Sequence, residues 1–257
     1  MKKENVLLYT VALILLWGIG CDSKKTEAPP SHSQATTQIS STQLPKTDID
    51  CSVVLDGVPP KMPVIKMNAD PKCISMHKRP VYFQKVMVNK KGMLQNVFVY
   101  IKAGLGDQSF TPPSTPVILE QHGCMYEPHV LGIMINQPLE IINSDPVLHN
   151  IHALPKDNGE FNIAQPLQGM KIQKTFSHSE IMVPVKCEVH SWMRCYIGVL
   201  DNPFYAVSDS NGTCDIKGLS PGHYVLTAWH EQFGSQDINV TLVPGETKKV
   251  EFRFSAH

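Results

Sequence analysis

Four residues of this chain carry side chains that bind soft metals and stand at telling intervals: His149, then Cys187, His190 and Met193. The first opens the run H-N-I-H, and the other three share the stretch C-E-V-H-S-W-M. Two imidazoles and a thiolate can hold a copper ion in a trigonal plane, with a long, weak thioether bond on the axis. Thiolate and thioether favour Cu(I), imidazole suits both oxidation states, and the mixture lets copper exchange one electron with little rearrangement. A loop this short cannot surround an ion alone, so His149 must be delivered by a different strand. A stray C-x-x-H is unsurprising among 11 His; four ligand types in this order are much harder to obtain by chance. Zinc is the rival ion, because it also accepts Cys and His.

The loop C-E-V-H-S-W-M-R, with its C-x-x-H-x-x-M spacing and an Arg after the Met, resembles the copper loop of amicyanin among the cupredoxins. H-N-I-H-A is similar to the segment that carries the first His ligand there, whereas pseudoazurin and plastocyanin have longer loops before the Met. The resemblance implies that His149, Cys187, His190 and Met193 bind one type 1 copper and that Asn150 ties the two ligand loops by hydrogen bonding. It also implies that His190 is the electron port, its ring edge at an apolar surface supplied by Pro146, Leu148, Pro184 and Trp192. Amicyanin-type loops usually carry Pro after the Cys and again after the loop His; Val189 and Ser191 stand here. Each restores a backbone N–H that Pro lacks, and a donor aimed at the Cys187 sulfur would stabilise Cu(I).

Short runs rich in β-branched residues must position these ligands: Val86 to Val88, Val97 to Ile101, Val117 to Leu119 and Leu139 to Ile142, separated by Gly, Pro, Asn and Asp. Met182-Val183-Pro184-Val185 leads into Cys187 and Tyr196 to Leu200 leads out, so the loop joins two strands. After Asp201-Asn202-Pro203 come further candidate strands, Phe204 to Val207, Cys214 to Ile216, Tyr224 to Trp229, Ile238 to Val243 and Lys249 to Phe254. Asn211-Gly212 signals a hairpin and Pro221-Gly222 a turn. No stretch is long and capped enough for a major helix. The pattern predicts an all-β protein, a cupredoxin Greek-key sandwich followed by a small Ig-like or transthyretin-like sandwich, over 48–202 (with an N-terminal extension) and 203–257. N-V-F-V-Y-I-K from Asn96, G-C-M-Y-E-P-H from Gly123 and A-W-H-E from Ala228 are similar to phrases of bacterial secreted or lipoprotein cupredoxins with a carboxypeptidase regulatory-like domain.

Residues 1–21 read as a lipoprotein signal peptide: Lys2 and Lys3, an apolar stretch from Val6 to Trp17, then Gly18-Ile19-Gly20-Cys21, with Cys21 placed for lipidation. Residues 22–47, rich in Ser, Thr, Gln, Pro and Lys, read as a disordered tether. The expected place is therefore the bacterial periplasm or cell envelope, with a lipid anchor in a membrane. Disulfides persist there. Of the 7 Cys, Cys21 and Cys187 have other uses; the preferred pairs are Cys73 with Cys124 and Cys195 with Cys214, leaving Cys51. Spacing alone leaves other connectivities open.

Lys plus Arg equals Asp plus Glu at 23 each, and no basic stripe argues for nucleic acid. Nucleotide loops, a supported Ser-His-Asp arrangement and a paired-Cys binuclear copper loop are all missing from the sequence, so an enzyme is not expected. His152, three places after His149, reads as a packing or hydrogen-bonding residue. His77, His122 and His129 read as ordinary histidines near a disulfide, and Trp229-His230-Glu231 as a junction cluster. The Met residues read as core fillers. The functional expectation is single-electron transfer between redox partners, such as a c-type cytochrome or a membrane oxidoreductase. Copper delivery or buffering, and a structural role in a membrane complex, are the alternatives.

Overall fold

The computed structural model describes residues 44–256 except Ala69. The signal peptide, Cys21 and almost all of the tether lie outside the described residues. In chain order the elements are β1 (Thr47–Asp56), α1 (Pro71–Ser75), β2 (Phe98–Ala103), β3 (Val117–His122), β4 (Met125–Glu127) and β5 (Val130–Met134). There follow β6 (Leu139–Asn143), β7 (His149–Ala153), β8 (Phe161–Gln165), β9 (Lys171–Lys174), β10 (Glu180–Lys186) and β11 (Arg194–Leu200). The last are β12 (Tyr205–Val207), β13 (Thr213–Leu219), β14 (Gly222–His230), β15 (Gly234–Leu242) and β16 (Thr247–Ser255). The protein is all-β, as its patterning predicts. Among the described residues no helix is long and apolar enough to cross a membrane.

Four sheets form two layered pairs. One pair has the orders β5-β11-β10-β7-β8 and β4-β3-β6-β9, the other β13-β1-β16 and β12-β2-β14-β15. Each pair encloses its own core. Leu119, Ile133, Ile141, Ile151, Val183 and Ile197 fill the first; Ile49, Val53, Val99, Leu226, Phe252 and Phe254 fill the second. Alternation explains why these strands have one wet and one dry side. In β1, Ile49, Cys51, Val53 and Leu55 are buried and the residues between them are not.

The sheets correct the linear division at 202/203. β1 runs parallel to β16 and antiparallel to β13, and β2 lies between β12 and β14. The second sandwich is thus built from both ends of the described chain, and β3 to β11 form an insertion within it. Asn211-Gly212 turns the chain, but the flanking strands β12 and β13 belong to different sheets. Val86 to Val88 contributes only a bridge, Val88 with Leu94, rather than a strand.

A pair of glycines fixes how the sandwiches meet. Gly132 of β5 and Gly198 of β11 are opposite one another. A Cβ on Gly132 would come within 2.3 Å of the Tyr205 ring, and one on Gly198 within 2.4 Å of the Phe98 ring. Only a surface without Cβ atoms lets these two rings approach the sheet this closely. Phe98, Tyr100, Val130, Met182 and Leu200 bury this junction.

Candidate metal centre

Strand β7 begins at His149, and the strands β10 and β11 end and begin on either side of Cys187 to Met193. The loop closes on itself, with Cys187 N–H donating to the Met193 carbonyl (3.2 Å) and Met193 N–H to the His190 carbonyl (2.9 Å). A rigid two-strand frame therefore fixes the loop at its ends. Asn150 joins the two ligand segments, accepting the Glu188 N–H on its side-chain oxygen at 3.1 Å. This is the bond expected of Asn150.

The ligand atoms of His149, Cys187 and His190 lie within 4.8 Å of one another. The two Nδ1 atoms face each other at 3.1 Å, and Cys187 Sγ is 4.0 Å from His190 Nδ1. His149 and Met193 are 0% exposed, His190 1% and Cys187 2%. Met193 packs in the same core cluster as Cys187.

Both outer ring nitrogens meet carboxylates. His149 Nε2 is 2.8 Å from Asp145, and His190 Nε2 is 3.4 Å from Asp70. With protons on the Nε2 atoms, each Nδ1 keeps its lone pair pointed at the other and at the sulfur. Two facing lone pairs beside a thiolate fit a cation, which is the test a metal site must pass. Burial opposes ionisation of Cys187. A ring that carries a proton on the nitrogen facing the sulfur donates to it instead. Such bonds from His149 and His190, with the backbone N–H groups of His190 and Val189, outweigh burial and bring the thiol pKa down to about 6. The His190 N–H reaches the sulfur at 3.4 Å. At neutral pH the thiolate predominates, and a thiolate is the form that binds metal.

Asp145 and Asp70 were not legible as part of the centre. Asp145 is held by a two-residue turn between β3 and β4, where Gly123 and Cys124 both have positive φ, 59° and 54°. That conformation suits a tight hairpin and aims both N–H groups at the Asp145 carboxylate, at 2.8 and 2.7 Å. Burial raises the Asp145 pKa, but the bonds from His149, Cys124 and Gly123 lower it on balance. The one available signal was local: Asp145 precedes His149 by four places. Asp70 caps α1, accepting the Lys72 N–H at 2.9 Å, and nothing in the sequence pairs it with His190.

The expected electron port is corrected. The His190 edge does not face an apolar surface, because α1 and its flanks cover it, with Cys73 Sγ 3.6 Å from Nε2. Leu148 is 43% exposed, and Pro146 and Pro184 are exposed as well, whereas His190 is buried. Trp192 is half-buried, its ring 5.0 Å from that of His190, and its Nε1–H donates to the Cys124 carbonyl at 3.0 Å.

Of the expected disulfides, Cys73–Cys124 is formed. Cys195 and Cys214 are free: one is buried in the first core and the other in the second. Cys214 instead stands opposite Cys51 across β13 and β1. His152 does not join the centre. Its ring nitrogens meet Glu188 at 2.5 Å and Glu160 at 2.6 Å. His129 is 2.5 Å from Glu231, whereas His230 has a buried, unpartnered Nε2.

No family model matches the chain, and no curated protein matches it. Among solved structures, it is similar to a copper-containing nitrite reductase from Thermus scotoductus SA-01, at 20% identity over 40% of this chain and 26% of the reductase, TM-score 0.32. The chain thus spans about a quarter of that enzyme's length. A purple cupredoxin from Nitrosopumilus maritimus matches at 21% identity over 32% of this chain and 97% of its own, TM-score 0.27. A Cu(I) amicyanin variant matches at 18% identity over 39% and 97%, TM-score 0.30. Likenesses this partial do not say what the chain does.

Proposed function

We propose that this protein holds one copper ion at His149, Cys187, His190 and Met193 and passes single electrons between redox proteins. The observation that carries the proposal is the convergence of two buried imidazoles and a buried thiol within 4.8 Å, each imidazole backed by a carboxylate. Copper bound there supplies a couple between Cu(I) and Cu(II). The chain's own part is to hold the ligands still. Cys187 supplies negative charge, and Asp145 and Asp70 fix the ring orientations. Adjacent strands of one sheet, β10 and β11, fix the loop at both ends, so the ligands keep their places in both oxidation states. With His190 covered, the path to solvent runs from its ring to Trp192.

Copper delivery needs ligands that open to an acceptor, and the burial of this centre favours a carrier over a donor of metal. We further propose that Cys21 carries a lipid, that residues 22–43 tether the head in the periplasm, and that the second sandwich is a regulatory-like module without chemistry of its own. Partners are then envelope redox proteins such as a c-type cytochrome or a membrane oxidoreductase. Voltammetry and stopped-flow mixing with a reduced c-type cytochrome test the carrier reading. A reversible one-electron wave with rapid cytochrome oxidation supports it. Slow exchange, together with rapid passage of copper to an acceptor apoprotein, overturns it in favour of delivery.

A further inference from the structure

The cover over His190 is Asp70, Cys73 and the described residues around them between Val64 and Tyr82, which belong to neither sheet of the first sandwich. Its regular structure is slight: the five-residue helix α1 and one bridge between Val64 and Tyr82. It reaches the core through Ile65, Met67 and Cys73, with Met76 and Val81 partly buried against it. Its polar bonds across to the sandwich are few. His77 Nε2 meets the Gly123 carbonyl at 2.7 Å, Lys72 donates to the Pro146 carbonyl at 3.4 Å, and Asp70 faces His190. A segment with so few buried apolar groups and ladder bonds opens readily unless something fastens it. The Cys73–Cys124 disulfide is that fastener.

The fastener also joins the supports of both imidazoles. Cys73 touches His190, while the Cys124 N–H holds Asp145, which holds His149. Once the bond is closed, Cys73 and Cys124 are themselves fully buried, so a solvent thiol has no direct approach. The ligand atoms and the fastener are sealed under the same cover.

We infer that maturation of this centre has an order: the metal enters while Cys73 and Cys124 are thiols, and disulfide formation then seals it in. This inference rests on the copper reading above. In the closing step each thiol gives up one proton and one electron, and a sulfur–sulfur bond forms between Cys73 and Cys124. The two electrons and two protons pass to the disulfide of a thiol-oxidising protein, which leaves as a dithiol. A thiol oxidation therefore follows metal insertion.

The test uses the full-length apoprotein in its disulfide form and the C73S/C124S variant. First, without metal, iodoacetamide labelling of Cys187 is followed by peptide mass spectrometry. Labelling at least tenfold slower in the disulfide form is expected, and equal rates overturn the seal. Wild-type protein reduced with a phosphine gives the same contrast without substitution and replaces the variant if circular dichroism shows the variant unfolded. Second, Cu(I) is offered anaerobically as its bicinchoninate complex, and loss of chelator colour reports uptake. Rapid uptake by the variant and slow uptake by the disulfide form support the order; equally rapid uptake overturns it. If neither form takes copper yet the labelling contrast persists, the seal stands and the copper reading falls.

Discussion

The two sandwiches bury histidines in opposite ways. In the inserted sandwich, His149 and His190 each have one nitrogen on a carboxylate and the other aimed at a shared point beside a thiol. In the second, His230 is 1% exposed, accepts the Gln232 N–H on Nδ1 and packs against Phe233 and Phe254. Burial depresses its pKa to about 4. His230 behaves as a core residue that folding keeps neutral. The first pair is oriented at both nitrogens, an arrangement that packing does not require but metal binding does. What marks this site is the combination of a carboxylate behind each ring with a thiol and a second imidazole at its inner nitrogen.

The sharpest way to break this contrast is Cys187→Ser. It should abolish the strong visible absorption of the copper-loaded protein while leaving the far-ultraviolet circular dichroism of both sandwiches in place, because their cores contain the folding energy. Retained colour would remove Cys187 from the ligand set. Asp145→Asn comes next. It keeps the shape but weakens the hold on His149, and a loss of about tenfold to hundredfold in copper affinity is expected. His230→Phe should leave the affinity unchanged. Competition titrations against a chelator of known affinity measure both, and equal losses would erase the distinction between the two kinds of histidine.

A third prediction concerns acid. The folded-state pKa of His230, about 4, lies below its ordinary value of 6.5. The folded state therefore binds fewer protons than the unfolded one between those values. Stability from this group is complete above about pH 6.5 and falls as pH drops through 4, by about 3 kcal/mol in total. Urea denaturation of the apoprotein at pH 7 and pH 4.5 should show a smaller acid loss in His230→Phe than in the wild type. An identical loss would place the acid sensitivity elsewhere. The smallest effect is that of Trp192→Leu, expected to slow electron exchange with a cytochrome about tenfold, or about 1.4 kcal/mol of barrier, without shifting the potential. An unchanged rate would take Trp192 off the path.

The four candidate ligands stood out because their chemistry is local: three of the four residues sit on one loop, and the fourth lies in a short strand. The all-β class was legible for the same reason, through alternation and turns. Long-range partnership was not. Ile49, Cys51, Val53 and Leu55 alternate plainly, yet β1 follows a polar stretch of sequence, and its parallel partner β16 lies at the other end of the described chain. The cover over His190 joins residues 120 positions apart, with no repeat or spacing to announce it. Counting cysteines found Cys73–Cys124 but also paired Cys195 with Cys214, since a count cannot show that two hydrophobic strands face different cores. Asp145 stood in view, four residues before His149, and its role emerged only with the turn that grips it.

The central claim is that His149, Cys187, His190 and Met193 form one electron-transfer copper centre. Electron paramagnetic resonance of the full-length protein, loaded with one equivalent of copper and oxidised, tests it most directly when recorded with the visible spectrum of the same sample. A single Cu(II) species with narrow parallel hyperfine splitting and an intense thiolate-to-copper band is expected, both lost in Cys187→Ser. Wide splitting with only weak visible absorption would contradict it, for the copper would then be bound without the Cys187 thiolate.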